Sequence, residues 1–318
     1  MTTKINNENT PKVSFLSINQ ELAGQRIDNF LINKLKGVPK SRIYRMLRTG
    51  EVRVNKKRID PSYRLQENDL VRIPPVKLAE KASTVAPNKD TQALLKERIL
   101  YEDDQLIILN KPSGMSVHGG STVRIGIIEA FRTLYPKLVN LELVHRLDSE
   151  TSGCLILAKK RSTLRELHAL LREGKVRKIY LALTEGQWTP ADHRVDAPLQ
   201  KFHLKGGERI VRVHPEGKAS LTVFTPIEFY NQATLVEVNL YTGRTHQIRV
   251  HAQHLRHPIA GDERYGDETF NQELRKLGLK RLFLHAKSIE FTLPSNGKHI
   301  CIDAPLDSDL KDLLKKMD

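Results

Sequence analysis

Val144-His145-Arg146-Leu147-Asp148-Ser149-Glu150-Thr151-Ser152-Gly153 runs directly into the apolar stretch Cys154-Leu155-Ile156-Leu157-Ala158. Five apolar residues in a row read as a buried strand. The ten residues before it read as a loop at the lip of that strand's sheet. The loop holds an Asp directly after a His-Arg-Leu step. A carboxylate beside a basic side chain at a sheet edge suits a group that must stay ionised and attack something. The same residues also suit a plain turn capped by Thr and Ser. The rest of the chain decides between these two.

On either side of that loop the chain has a mixed pattern. Ile99-Leu100-Tyr101 and Leu106-Ile107-Ile108-Leu109-Asn110 read as strands joined by the turn Glu102-Asp103-Asp104. Helical spacing appears over 127–134 and 162–172. Short strand-like runs follow at 180–184, 210–213, 220–224, 234–240 and 288–292. Helices interspersed with many short alternating strands predict a mixed α+β domain, over 98–318, built on a largely antiparallel sheet.

The 318 residues are enough for two domains, and 39% hydrophobic content supports a packed core. No apolar run reaches the roughly 18 residues of a membrane span, so no membrane association is expected. Residues 1–12 are polar and lack the apolar segment of a secretory signal. Cys154 and Cys301 are the two cysteines of the chain. They give neither a disulfide framework nor zinc spacing and fit a reducing cytoplasm. His246, His251, His254 and His257 lie close together, but with no cysteine nearby they read as packing and hydrogen-bonding residues and no metal is expected.

The net charge is +15, the footprint of a nucleic-acid binder. From Glu21 to Glu80 there are 14 Lys and Arg against 7 Asp and Glu, a net of +7. About half of the charge excess thus lies in under a fifth of the chain, as in a dedicated binding module. Residues 1–16 show no periodic pattern and read as a tail. Ile27, Phe30, Leu31 and Leu35 then fall at helical spacing. After Gly37 and Pro39, Ser41 is the expected cap of a second helix, with Ile43, Met46 and Leu47 inward and Gly50 past its end. Arg42, Arg45 and Arg48 share roughly one side of it. Val52-Arg53-Val54, Asn55-Lys56-Lys57 and Arg58-Ile59 read as a basic hairpin. Leu70–Ile73 is a last strand, stopped by Pro74-Pro75. Residues 76–97 read as a linker.

Two helices with an arginine ladder and a basic hairpin, over 17–75, resemble the S4 RNA-binding domain. That resemblance implies RNA-phosphate contacts from Arg42, Arg45, Arg48, Lys56 and Lys57, giving affinity and salt dependence but little sequence choice.

The His-Arg-Leu-Asp run resembles the catalytic motif of the RluA-type pseudouridine synthases. Further segments resemble the same family: Asn110-Lys111-Pro112-Ser113-Gly114 with Val117-His118, Lys178-Ile179-Tyr180-Leu181-Ala182, Thr242-Gly243-Arg244-Thr245-His246-Gln247-Ile248-Arg249-Val250-His251, His257-Pro258-Ile259 with Gly261-Asp262 and Tyr265-Gly266, and Phe283-Leu284-His285-Ala286. Each alone is weak; together they span roughly 98–305 in the family's order. The resemblance implies an isomerase acting on uridine in RNA, with ribosomal RNA of the large subunit as the expected partner. A cytoplasmic monomer needing no cofactor is expected.

Uridine must lose its N1–C1′ bond, its base must turn, and C5 must bond to C1′. Asp148 is the candidate carboxylate, by attack on ribose, attack on uracil, or assistance to an elimination. Those three routes are equally open. By resemblance Arg249 is the cation that holds Asp148 ionised, Tyr180 stacks on uracil and is a candidate for the proton transfer from C5, and Ile248 adds an apolar wall. The target base must leave its stack. Arg146 either fills the vacated space or clamps a phosphate. The competing readings are a non-catalytic RNA-binding assembly factor and a synthase of the same family acting on tRNA or another ribosomal site.

Overall fold

The structure, a computed structural model, describes residues 13–20, 22–35, 37–76, 89–119, 125–203 and 209–317. The chain divides into two compact units, 1–84 and 85–318.

In the first unit, β1 (Ser14–Ser17) precedes α1 (Ile27–Lys34), α2 (Lys40–Thr49), β2 (Arg53–Val54) and β3 (Leu70–Ile73). The three strands form an antiparallel sheet in the order β1-β3-β2. Ile27, Phe30 and Leu31 of α1 and Ile43, Met46 and Leu47 of α2 fill one core with Val52, Leu65 and Val71. Gly50 ends α2 at φ 74°, the left-handed backbone expected of a glycine past a helix.

Several boundaries differ from the sequence reading. Residues 14–16, read as part of a tail, pair with β3 together with Ser17, and Ile18 just after them is buried. An edge strand held by main-chain hydrogen bonds leaves no amphipathic signal. Pro39, not Ser41, stands at the N-cap position of α2, and no side-chain hydrogen bond caps that end. Asn55 and Lys56 both have positive φ and turn the chain so that Val54 bridges Lys57. Arg58-Ile59 adds no strand; the partner of β2 is β3. The stretch read as a linker over 76–97 ends in a helix, α3 (Lys89–Glu97), whose Leu95 is fully buried in the core of the second unit. Residues 77–88 of that stretch, and 1–12 of the tail, lie outside the described residues.

The second unit continues with β4 (Ile99–Glu102), β5 (Leu106–Lys111), α4 (Ile127–Leu134), β6 (Glu142–Leu143), β7 (Ser152–Ala158), α5 (Arg161–Arg172) and β8 (Arg177–Glu185). Then come β9 (His193–Asp196), β10 (Leu199–His203), β11 (Arg209–Val213), β12 (Leu221–Tyr230), β13 (Ala233–Leu240), α6 (Gln247–His254), α7 (Glu268–Leu277), β14 (Leu284–Thr292), β15 (His299–Asp303) and α8 (Ser308–Lys315). One large sheet has the path β4-β5-β7-β14-β8-β13-β12-β9, with β6 also on β7 and β15 on β14. Every pairing in it is antiparallel except the short one between β7 and β14. The mixed α+β architecture on a largely antiparallel sheet is thus the one expected.

That single parallel contact positions the site. His285 of β14 lies beside Ser152 of β7 on one side and beside Leu181 of β8 on the other. The loop entering β7 is thereby brought next to Tyr180 of β8, although 30 residues of chain separate them. β7 is buried along its whole length, and each fully buried Leu or Ile there stabilises by about 1.5–3 kcal/mol. Gly153 makes the close approach possible. Its φ is +107°, and a Cβ there would stand 2.2 Å from the carbonyl oxygen of Ala286. Gly153→Ala is therefore expected to cost more than about 1 kcal/mol. A urea midpoint equal to that of the wild type would count against this account of the strand contact.

Candidate active site

The loop from Val144 to Thr151 is fastened from both sides. Val144 N–H donates to Ile156 O at 3.0 Å, and Thr151 N–H closes a turn on Asp148 O at 3.2 Å. His145 Nε2 accepts from Ile156 N–H at 3.2 Å, so that nitrogen carries no proton. Burial, and then the charge of Lys178, push the His145 imidazole down to about 4, which keeps it neutral. From beneath, Gly114 N–H donates to Ser149 O at 2.8 Å, and Ser113 Oγ–H donates to Glu150 O at 2.6 Å.

Lys111, at the end of β5, is completely buried under this loop. Its Nζ donates to the carbonyls of Pro112, Met115 and Ser149 at 2.9, 2.8 and 2.8 Å. Three acceptors use all three hydrogens of an ammonium. Burial pushes Lys111 down to about 7, and the charge of Asp148 acts in the opposite sense.

Asp148 sits at the rim of a cleft of about 700 Å³ lined also by Arg146, Lys178, Tyr180, His246 and Ile248. Its side chain is 20% exposed. Oδ2 lies 3.7 Å from Arg249 Nη1 and 3.8 Å from His246 Nε2. These are ion-pair separations beyond hydrogen-bond length. The carboxylate is thus flanked by cationic and polar N–H groups without being locked by them.

Arg249 and Asp148 do come together, but Arg249's tight partner is Asp262. Nε and Nη2 donate to its two carboxylate oxygens at 2.6 and 2.7 Å. Asp262 Oδ1 also accepts the backbone N–H of Arg264 and Tyr265, each at 2.9 Å. Burial would raise the Asp262 pKa, yet the Arg249 hydrogen bonds and charge and the backbone donors hold it below the ordinary value. Arg249 lies over the Tyr265 ring, 5.1 Å from its centre. A buried guanidinium is fixed in this way with one edge turned toward Asp148.

Tyr180 is buried, and its phenol is held well above the usual range, first by burial and then by the Asp148 charge. It stays protonated at neutral pH. Ile248 is buried on α6, and it and Leu284 supply apolar wall to the cleft. Arg146 is exposed on the loop and borders both this cleft and a second of about 670 Å³ on the loop's other side.

The first unit is described by itself. Arg45, Arg48, Lys56 and Lys57 are exposed there. Arg42 instead donates twice to Glu51, at 3.0 and 2.7 Å, so its charge is already partnered. Of the histidines weighed as a cluster, His251 bonds Thr222 Oγ1 and Ala197 O, and His257 bonds Glu185 O.

Two residues of the site, Asp262 and Lys178, carried no role in the sequence reading, and His246 was read only as a packing and hydrogen-bonding residue. Asp262 follows Gly261 in a quoted motif, but nothing in its neighbours marks it as a buried counter-ion. His246 adopts φ 54° at the start of α6, a left-handed backbone uncommon for a non-glycine residue. Its Nδ1 lies 2.9 Å from the Tyr265 hydroxyl, which accepts Val211 N–H. Lys178 stands two residues before Tyr180, so strand alternation alone could have placed it on the same face.

Residues 105–254 match the RNA pseudouridylate synthase family and residues 25–71 match the S4 domain. The chain is 56% identical to ribosomal large subunit pseudouridine synthase C of Pasteurella multocida (strain Pm70), covering 95% of this chain and 93% of that protein. It is also 56% identical to the protein of the same name from Escherichia coli (strain K12), covering 97% and 98%. Among solved structures it is similar to human RNA pseudouridylate synthase domain containing 4. The TM-score is 0.59 at 26% identity, over 72% of this chain and 95% of that one.

Proposed function

The chain belongs to the RNA pseudouridylate synthase family and carries an S4 domain, and on that premise we propose that it converts specific uridines of large-subunit ribosomal RNA to pseudouridine, with Asp148 as the catalytic carboxylate. The observation that carries this reading is that Asp148 shares one cleft with Tyr180 and stands 3.7 Å from the buried Arg249 guanidinium, the three coming from separate stretches of chain. A fold retained only for RNA binding has no need to bury Arg249 against Asp262 with one edge toward Asp148.

Each group has a task in the isomerisation. Asp148 acts as an anion, by attack on ribose or uracil or by assisting elimination. Arg249 favours the charged carboxylate through its proximity. Tyr180, protonated and buried, offers a flat face against the uracil, and Ile248 closes the apolar wall. Arg146, exposed at the tip of the loop, fills the space of the extruded base or clamps a neighbouring phosphate. The isomerisation has no net redox change, so these groups suffice without a redox cofactor.

The S4 domain adds affinity for RNA phosphates through Arg45, Arg48, Lys56 and Lys57, with Arg42 contributing less because of Glu51. The protein works as a monomer in the cytoplasm. Pseudouridine mapping of ribosomal RNA from cells lacking this protein tests the reading. Loss of defined large-subunit sites, restored by the wild-type gene, is the expected result. An unchanged large-subunit map with altered tRNA would overturn the choice of substrate.

A further inference from the structure

Lys178 is an ammonium in the Asp148 cleft for which no hydrogen bond or ion pair appears among the described residues. It projects from β8 two residues before Tyr180 and lines the same cleft as Tyr180 and Asp148. The groups around it leave its charge unanswered. Of the loop, His145 is neutral and Arg146 is positive, while the Asp148 carboxylate is turned to Arg249 and His246. At the end of α5, Arg172 is positive and Glu173 is already paired with Lys175 at 2.8 Å. On β8 itself Tyr180 is protonated. Beyond β13 the cleft presents Tyr241 and Arg244, and at α6 His246, whose pKa burial lowers. β14 contributes Leu284. Burial alone pulls Lys178 down to about 8. A sheltered cation without an acid destabilises a fold, so its persistence at a cleft marks a functional group.

The reaction supplies the missing negative charge. When N1–C1′ opens by attack on ribose or by elimination, the N1–C1′ electron pair stays with the base, and uracil becomes an anion spread over N1, O2 and O4; C1′ meanwhile bonds an Asp148 oxygen, or forms a double bond to C2′ with the C2′ proton on Asp148. After the base turns, C5 bonds C1′ as the Asp148 oxygen leaves or as C2′ takes its proton back, the C5 proton passes to solvent, and N1 takes one up from solvent. Nothing is oxidised or reduced. We propose that the Lys178 ammonium is a catalytic residue that contacts the uracil and stabilises this transient anion, without itself giving up a proton. Tyr180 and Lys178 then divide the work along one strand: the ring holds the base flat, and the ammonium holds its charge. This inference rests on the reading of the Asp148 cleft as the site of isomerisation.

The test uses the full-length protein with a ribosomal RNA fragment containing its target. Lys178→Met is expected to lower the single-turnover rate at saturating enzyme by about 10²–10³-fold, as loss of one charge-stabilising donor does. Binding should stay within about threefold and Tm should not fall, because an unpaired, half-buried charge has been removed. In the wild type, kcat/KM should decline above about pH 8, since the ammonium is present below that pH and lost above it. Lys178→Arg, always charged, should recover activity relative to Met and move the alkaline decline upward. Two results would overturn the proposal: an unchanged single-turnover rate with weaker RNA binding, which would make Lys178 a phosphate contact, or an alkaline decline that stays in place in Lys178→Arg. Asp148→Asn run in parallel separates the two readings. If it remains active, the cleft assignment fails; if it is dead while Lys178→Met is normal, only the Lys178 role fails.

Discussion

Asp148→Asn should leave a folded protein that binds RNA normally and forms no measurable pseudouridine. The turn at this position is made by the backbone, Thr151 N–H to Asp148 O, and the side chain accepts no hydrogen bond within the protein among the described residues. The amide is nearly isosteric, so neither the loop nor Leu147 beneath it has reason to move. What disappears is the negative charge, which each of the three possible routes requires. Loss of a group at the centre of a catalytic set commonly costs about 10⁴–10⁶-fold in rate. Affinity for RNA should hold or rise slightly, because one anion facing a polyanion has gone. The measurement is single-turnover conversion with enzyme in excess, beside a binding titration and a thermal melt. Turnover above about 1% of wild type in folded protein would remove Asp148 from its role.

The same residues show how far the sequence could be read. Short apolar runs announced the buried strands: Leu106–Lys111 and Ser152–Ala158 are buried throughout, and hydrophobicity dominates there. Amphipathic spacing announced α4 and α5. What escaped were elements held by a few polar anchors. Arg281 ties α8 in place through Asp307 and Asp309. It also donates to Ser152 Oγ at 3.1 Å, whose own proton goes to His285 Nδ1 at 2.8 Å. No local pattern records such a tie across 129 residues. The site behaved alike. Asp148, Tyr180, Ile248 and Arg249 stand in contiguous motifs and were named by resemblance. Their convergence is a consequence of where His285 pairs, and the strength of Asp262 as the partner of Arg249 follows from depth of burial, which a single sequence does not display.

Asp262→Ala should be among the most destabilising substitutions in the second unit, and it should also cripple catalysis. Asp262 has a fully buried side chain that accepts two hydrogen bonds from Arg249 and two from backbone N–H groups. Removing it strands a guanidinium that is only 6% exposed. Breaking one side of a buried ion pair costs about 3–5 kcal/mol, a large part of a typical domain's stability. Arg249 has one other acid at comparable distance besides Glu150, namely Asp148 at 3.7 Å. The freed guanidinium should therefore swing onto Asp148 and blunt it as a reactive anion, so the loss of rate should exceed what partial unfolding explains. Arg249→Met leaves the opposite orphan, an unpaired Asp262, and should also destabilise. The double variant Arg249→Met with Asp262→Leu should regain stability but not activity, because the pair's cost vanishes while the cation beside Asp148 stays absent. The pH dependence has a definite sign. Asp262 is held below its ordinary value of 3.8 in the folded protein. Its stabilising contribution is present above that value and is lost as pH falls through the lower folded pKa. The wild type should therefore lose stability on acidification below about pH 4, and the double variant should lose less. Urea titrations at neutral and acidic pH give both comparisons. Equal acid sensitivity in the two proteins would mean that some other carboxylate, and not this buried pair, governs the acid limb.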